Sequence, residues 1–176
     1  MLLPLVLIAG CIVWIVNEIL ELAPAGPAEL VISTAILSNV LLALGIWTFW
    51  QDRDSDGVSR AGTLLCSAGM LIFTFRSTSL IMGGTRPDQT ELGSTPIVLY
   101  GAAALAVGTI ALGLWILRRR VFPAWMGAGL VGLTLATLAA TILPAPPILP
   151  GFINLVLALL LAGIGRLALD RARLGD

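Results

Sequence analysis

Long apolar segments, separated by short polar or proline-rich connectors, make up most of the chain. Six of them approach the length of about 20 residues that an α-helix needs to cross the hydrocarbon core of a bilayer. Backbone groups in lipid must pair within their own segment, which favours helices. The pattern therefore predicts an all-α, polytopic integral membrane bundle of six transmembrane helices, forming a single domain over 1–176. The predicted spans are 2–22, 28–50, 61–83, 96–117, 124–143 and 149–169.

The connectors are short, so consecutive helices are predicted to run antiparallel, and the arginines then indicate an orientation. Eight arginines fall on the predicted side of both chain termini, whereas Arg86 alone falls on the opposite side. Arginine-rich loops stay in the cytoplasm, so we expect both termini to be cytoplasmic in a plasma membrane. The eight residues are Arg53, Arg60, Arg118, Arg119, Arg120, Arg166, Arg171 and Arg173.

Composition excludes several kinds of chemistry. The chain is 58% hydrophobic and 11% charged, against about 25% charged residues in soluble domains. It contains no histidine and no lysine. Histidine-ligated haem or zinc, a Ser-His-Asp triad and a lysine Schiff base are therefore excluded. We expect no cofactor, no metal and, from the zero net charge, no nucleic-acid partner. Cys11 and Cys66 are expected to be buried thiols that act as small apolar groups.

Arg76 lies within the third span, 15 residues from its predicted start, and is the main candidate functional residue. An arginine at the centre of a membrane helix costs roughly 2.5–3.5 kcal/mol on insertion scales. Arg76 shares a seven-residue spacing with Gly62, Gly69 and Gly83, which predicts one protein-facing stripe. Glu18 has a similar depth in the parallel first span, so the sequence predicts an ion pair between Glu18 and Arg76 within hydrogen-bonding reach.

Other polar residues are predicted at the same outer level of the bilayer. Glu21 lies one helical turn beyond Glu18, on the face that also carries Trp14. Together with Glu18 and Arg76, the candidate binding residues are Glu21, Asn17, Tyr100 and Asn154. One interpretation is a polar pocket that opens to the extracytoplasmic side. The other is a buried ion pair that fixes helix order and binds nothing.

Three functions remain open at this stage. The first is a non-enzymatic membrane protein that binds a partner, a lipid or a small amphiphile near Glu18 and Arg76, as a homo- or hetero-oligomer. The second is a small secondary transporter that uses Glu18 as its proton or cation site. The third is a lipid-modifying membrane enzyme with Glu18 as a general base. The sequence contains no nucleophile-base pair, so an enzyme is the least favoured of the three.

Three further stretches carry weaker signals. The triplet Arg118, Arg119 and Arg120 sets topology and is a candidate contact for anionic lipid. The loop QDRDSDGVSR, residues 51–60, resembles the start of a calcium loop without its closing glutamate, and we expect a solvated turn. The motifs ALGIW and ALGLW suggest a parallel hairpin repeat of 28–83 and 96–143.

The stretch LWILRRRVFPAWMGAGLVGLTL combines a basic loop with Pro-x-Trp-x-Gly and a glycine-rich helix start. It resembles the corresponding region of many small bacterial integral membrane proteins. The resemblance implies a bacterial membrane protein and no particular activity.

Overall fold

Six long helices make up the structure, a computed structural model that describes residues 2–22, 28–83, 96–142, 146 and 148–174. All six are long and apolar enough to cross a membrane, and no strand occurs among the described residues. The predicted all-α architecture is confirmed. The helices are α1 Leu2–Leu22, α2 Ala28–Gly45, α3 Gly57–Gly83, α4 Pro96–Arg119, α5 Ala124–Ile142 and α6 Ile148–Leu174.

The helices form a closed ring in chain order. Each helix packs against the helix before it and the helix after it, and α6 returns to pack against α1. Neighbours run antiparallel: Gly45 of α2 lies against Leu7 of α1, and Gly10 lies against Leu42. The start of α1 and the end of α6 therefore lie on one side of the bundle. We call this the loop side, because residues 49–56 and 120–123 also lie there.

Glycines also bring the backbones of α3 and α4 close together. A methyl group at Gly108 would lie 2.7 Å from the backbone nitrogen of Cys66 and 2.8 Å from the carbonyl oxygen of Gly62. Small residues allow this approach because they carry no side chain to separate the helices. Gly62 and Gly69 both face α4, so the predicted protein-facing stripe is confirmed for these two residues. Cys11 and Cys66 are buried, as expected.

The loop at 51–60 is mostly exposed, as expected for a solvated turn, and it is also attached to the helices. Asp52 pairs with Arg171 of α6 at 3.5 Å, and Asp56 pairs with Arg119 of α4 at 3.2 Å. The indole of Trp115 donates to the carbonyl oxygen of Asp54. Trp115 is only 1% exposed and belongs to the hydrophobic core.

Asp56 also explains why α3 begins four residues earlier than predicted. Its carboxylate accepts from the backbone N–H groups of Val58 and Ser59, and its own N–H donates to the Ser59 hydroxyl. This is the reciprocal pattern of a capped helix start. The backbone hydrogen bond from Ser59, assisted by Arg119, lowers the pKa of Asp56. The α-helical part of α2 ends at Gly45 and continues as a 3₁₀ turn, Ile46–Thr48.

Candidate functional site

A cavity of about 470 Å³ lies inside the ring, in the half of the bundle away from the loop side. All six helices contribute to its lining, which includes the last turns of α1, the second to fourth turns of α4, and the second and third turns of α6. The cavity therefore exists only because the ring closes. Its polar lining residues are Asn17, Glu21, Ser38, Asn39, Ser77, Thr109, Thr134, Thr137, Thr141 and Asn154.

The polar lining divides into groups that are already bonded and groups that remain available. The threonine hydroxyls donate to carbonyl oxygens of their own helices, as Thr109 does to Leu105 and Thr134 to Leu130. Such a hydroxyl can still accept a hydrogen bond. The side chains of Asn39 and Ser77 line the cavity without a hydrogen bond to any described residue. The cavity therefore offers two unengaged polar groups on the adjacent helices α2 and α3.

Glu18 joins α1 to α6 beside the cavity. Its carboxylate oxygen Oε1 accepts from Trp14 Nε1 at 2.9 Å and from Asn154 Nδ2 at 3.0 Å. The residue is only 6% exposed. Gly151 of α6 adjoins Oε2, and a methyl group there would be in ordinary van der Waals contact, 3.4 Å from that oxygen. Glu18 thus sits in a polar niche made of N–H donors and has no cationic partner among the described residues.

Glu21 forms a second network that joins α1 to α2. Asn17 Nδ2 donates to Glu21 Oε1 at 2.7 Å, and the Thr34 hydroxyl of α2 donates to Asn17 Oδ1 at 2.8 Å. Asn17 is buried, whereas Glu21 is exposed at the end of α1 and lines the cavity. The two networks place two carboxylates one helical turn apart on the cavity side of α1.

Arg76 does not reach this group, so the prediction of an ion pair with Glu18 is wrong. The ion pairs of the described residues are Arg119–Asp56, Arg166–Asp170 and Arg171–Asp52. The physical reason is the ring: α1 packs between α2 and α6, whereas α3 packs between α2 and α4. Glu18 and Arg76 were predicted at a similar depth in the bilayer, but their helices, α1 and α3, are not neighbours in the ring. Arg76 is absent from the cavity lining, and Tyr100 is 71% exposed on the outside of α4.

The structure brings together Glu18, Asn17, Glu21 and Asn154 of the predicted binding residues. Sequence reasoning did not assign Trp14, Asn39 or Ser77 to the site. Trp14 carried a usable signal, since it lies one turn before Glu18 on the same face. Asn39 carried a weaker signal, because it is an amide within an apolar span. Ser77 carried no signal in the sequence, because serine in a membrane helix commonly bonds its own backbone.

The fold and the cavity define a multi-pass helical membrane protein with an internal acidic cavity. Comparison with protein-family models, curated proteins and solved structures found no match to this chain. Its function must therefore be argued from the cavity itself.

Proposed function

We propose that this membrane protein is non-enzymatic and binds a small amphiphile with a cationic head group in the central cavity. The observation that carries the proposal is the charge of the lining. Glu21 lines the cavity, Glu18 lies directly behind Asn154, and no arginine is among the described lining residues. A cation beside Glu21 gains a charge-assisted contact, and the Glu18 carboxylate behind Asn154 adds negative potential in a site of low dielectric. With the predicted orientation, the cavity faces the outer leaflet.

The apolar part of the lining suits the body of such a ligand. Trp14 and Phe73 provide aromatic surface, and Met70, Leu105 and Leu157 provide aliphatic surface. Cations are attracted to the faces of aromatic rings, and thioethers adapt to ligands of varied shape. The volume of about 470 Å³ lies within the range of roughly 300–1,000 Å³ found for small-molecule sites.

The test compares tetraphenylphosphonium with tetraphenylborate, two ligands of the same shape and opposite charge. We expect the purified protein to bind the phosphonium and not the borate in equilibrium dialysis. Glu21→Gln should weaken phosphonium binding about tenfold, which corresponds to roughly 1.4 kcal/mol. The glutamine keeps an oxygen that can accept from Asn17, so the fold is expected to survive.

Glu29→Gln is the matched control for this test. Glu29 lies in the first turn of α2, at the same end of the bundle, and does not line the cavity. Its substitution removes the same charge and should leave binding unchanged. Equal binding of the two ions, or equal losses in the two variants, would exclude the acidic cavity as the binding site.

A second candidate function, proton-coupled transport of this cation, is favoured by the burial of Glu18. A carboxylate enclosed without a cationic partner must either take up a proton or hold a cation. Because Glu18 touches Asn154 of α6, a change in its charge acts directly on the contact that closes the ring. This gives a physical route from proton binding to helix movement.

Glu18→Gln tests the coupling, since glutamine retains an oxygen that can accept from Trp14 and Asn154. In the unmodified protein, binding of tetraphenylphosphonium should release protons, measured calorimetrically in buffers of different ionisation enthalpy. The variant should bind without that release and should show no uptake driven by a pH gradient in liposomes. Proton release of the same size in the variant would rule out Glu18 as the coupling residue.

A further inference from the structure

We infer that Arg76 binds the phosphate group of an anionic phospholipid at the outer end of the seam between α3 and α4. The starting observation is an unpaired donor: Arg76 Nε is enclosed and has no hydrogen-bond partner. Buried polar groups in native structures are almost always satisfied, so each exception requires an explanation. The side chain as a whole is only half-buried, and the accessible part of its guanidinium remains available to a ligand.

The position of Arg76 in the bundle fits a lipid head group. It lies seven residues before the end of α3 at Gly83, about 10 Å along the helix. The long side chain of an arginine at this depth can extend its guanidinium toward the head-group level. The preceding residue, Phe75, is 66% exposed, as expected for a side chain that faces acyl chains. The guanidinium of Arg76 can therefore approach a lipid phosphate near the end of its helix.

The packing of α3 against α4 indicates where the guanidinium of Arg76 lies. Gly69 packs against the carbonyl oxygen of Gly101 on α4, and Arg76 follows Gly69 by about two turns, or roughly 10 Å, on nearly the same face. Pro96 begins α4, about 7 Å before Gly101 along that helix. Arg76 thus lies beside the first turn of α4, where the backbone N–H groups and the helix dipole add positive potential.

The positive charge of Arg76 favours an anionic lipid over a zwitterionic one. No described carboxylate pairs with Arg76, so its positive charge is not compensated by any described residue. A planar guanidinium matches the geometry of a phosphate, to which it can donate two parallel hydrogen bonds. A phosphatidylglycerol therefore suits the site better than a zwitterionic phosphatidylcholine. This inference is independent of the proposed function, because Arg76 does not line the cavity.

The experiment counts bound lipids by native mass spectrometry. Protein in detergent is titrated with phosphatidylglycerol or phosphatidylcholine of identical acyl chains. We expect Arg76→Gln to weaken phosphatidylglycerol binding about fivefold, the effect of one cation near a charged head group. Phosphatidylcholine binding should change little. Arg76→Lys should fall between the two, since it keeps the charge and loses the planar fork.

Arg166→Gln serves as the matched control, because Arg166 is exposed and already pairs with Asp170. Inorganic phosphate is added in a separate arm to distinguish a lipid from a free anion. Equal phosphatidylglycerol binding by Arg76→Gln and the unmodified protein would overturn the inference. Complete displacement of the lipid by inorganic phosphate would also overturn it. Gel filtration confirms that each variant is folded, and Arg76→Lys provides a second reading if the glutamine variant aggregates.

Discussion

Replacement of Ala106 by tryptophan is expected to weaken binding of tetraphenylphosphonium roughly hundredfold, about 2.7 kcal/mol. Ala106 is a small residue in the α4 wall of the cavity, so the indole would occupy space that the ligand requires. Stability should be unchanged or slightly higher, because the added apolar surface fills an existing void rather than displacing packed atoms. Equilibrium dialysis measures the loss of binding, and the melting temperature in detergent measures the fold.

Ala103→Trp is the control for this result. Ala103 lies three residues away on the same helix, is exposed, and does not line the cavity. The two variants therefore carry the same chemical change at a cavity-lining position and at an exposed position of α4, roughly 60° apart around the helix axis. Loss of binding in both would indicate a general effect on the helix, and binding by Ala106→Trp at the unmodified level would place the ligand elsewhere.

Gly108→Ala is expected to destabilise the protein by about 1–3 kcal/mol, the usual cost of forcing an atom into a packed core. The new methyl carbon would lie 2.7 Å from the backbone nitrogen of Cys66 and 2.8 Å from the Gly62 carbonyl oxygen. Backbone atoms cannot rotate away, so α3 and α4 would have to separate along their whole contact. Unfolding of the purified protein by denaturant in detergent measures the change in free energy.

Gly132→Ala isolates the steric part of that effect. Gly132 is also in the middle of a helix, but a methyl group there would meet nothing within 4 Å. Both substitutions gain the same intrinsic helix preference of alanine over glycine, about 1 kcal/mol. Gly132→Ala should therefore be neutral or stabilising. A loss of stability as large as that of Gly108→Ala would mean that the α3–α4 contact is not what limits residue size at Gly108.

The number and approximate ends of the helices followed from the sequence, because the length of an apolar segment and its polar boundaries are local properties. Depth was also predictable, since it depends on counting residues from a helix end. The partners of Glu18 were only partly predictable. Depth placed Asn154 and Arg76 equally well, and the ring order, in which α6 and not α3 adjoins α1, decided between them.

The attachments of the loop at 51–60 were not predicted, for a related reason. The partners of its aspartates are distant in sequence. Arg119 and Arg171 lie more than 60 positions further along the chain than Asp56 and Asp52. Only closure of the ring brings these groups to one side. The local pattern therefore indicated an exposed loop correctly and gave no sign of its ion pairs.

The ties on the loop side have a mechanical consequence. Asp52, Asp56 and Trp115 join the connector after α2 to α4 and α6, so these helices share a common base. Among the described residues, hydrogen bonds around the cavity join α1 to Thr34 and Asn154, and Thr109 to Cys66. The helices of such a bundle pivot about the loop side. Small tilts there become wide separations at the opposite ends of the helices, so the proposed ligand can pass between those ends while the contacts of the loop side stay intact.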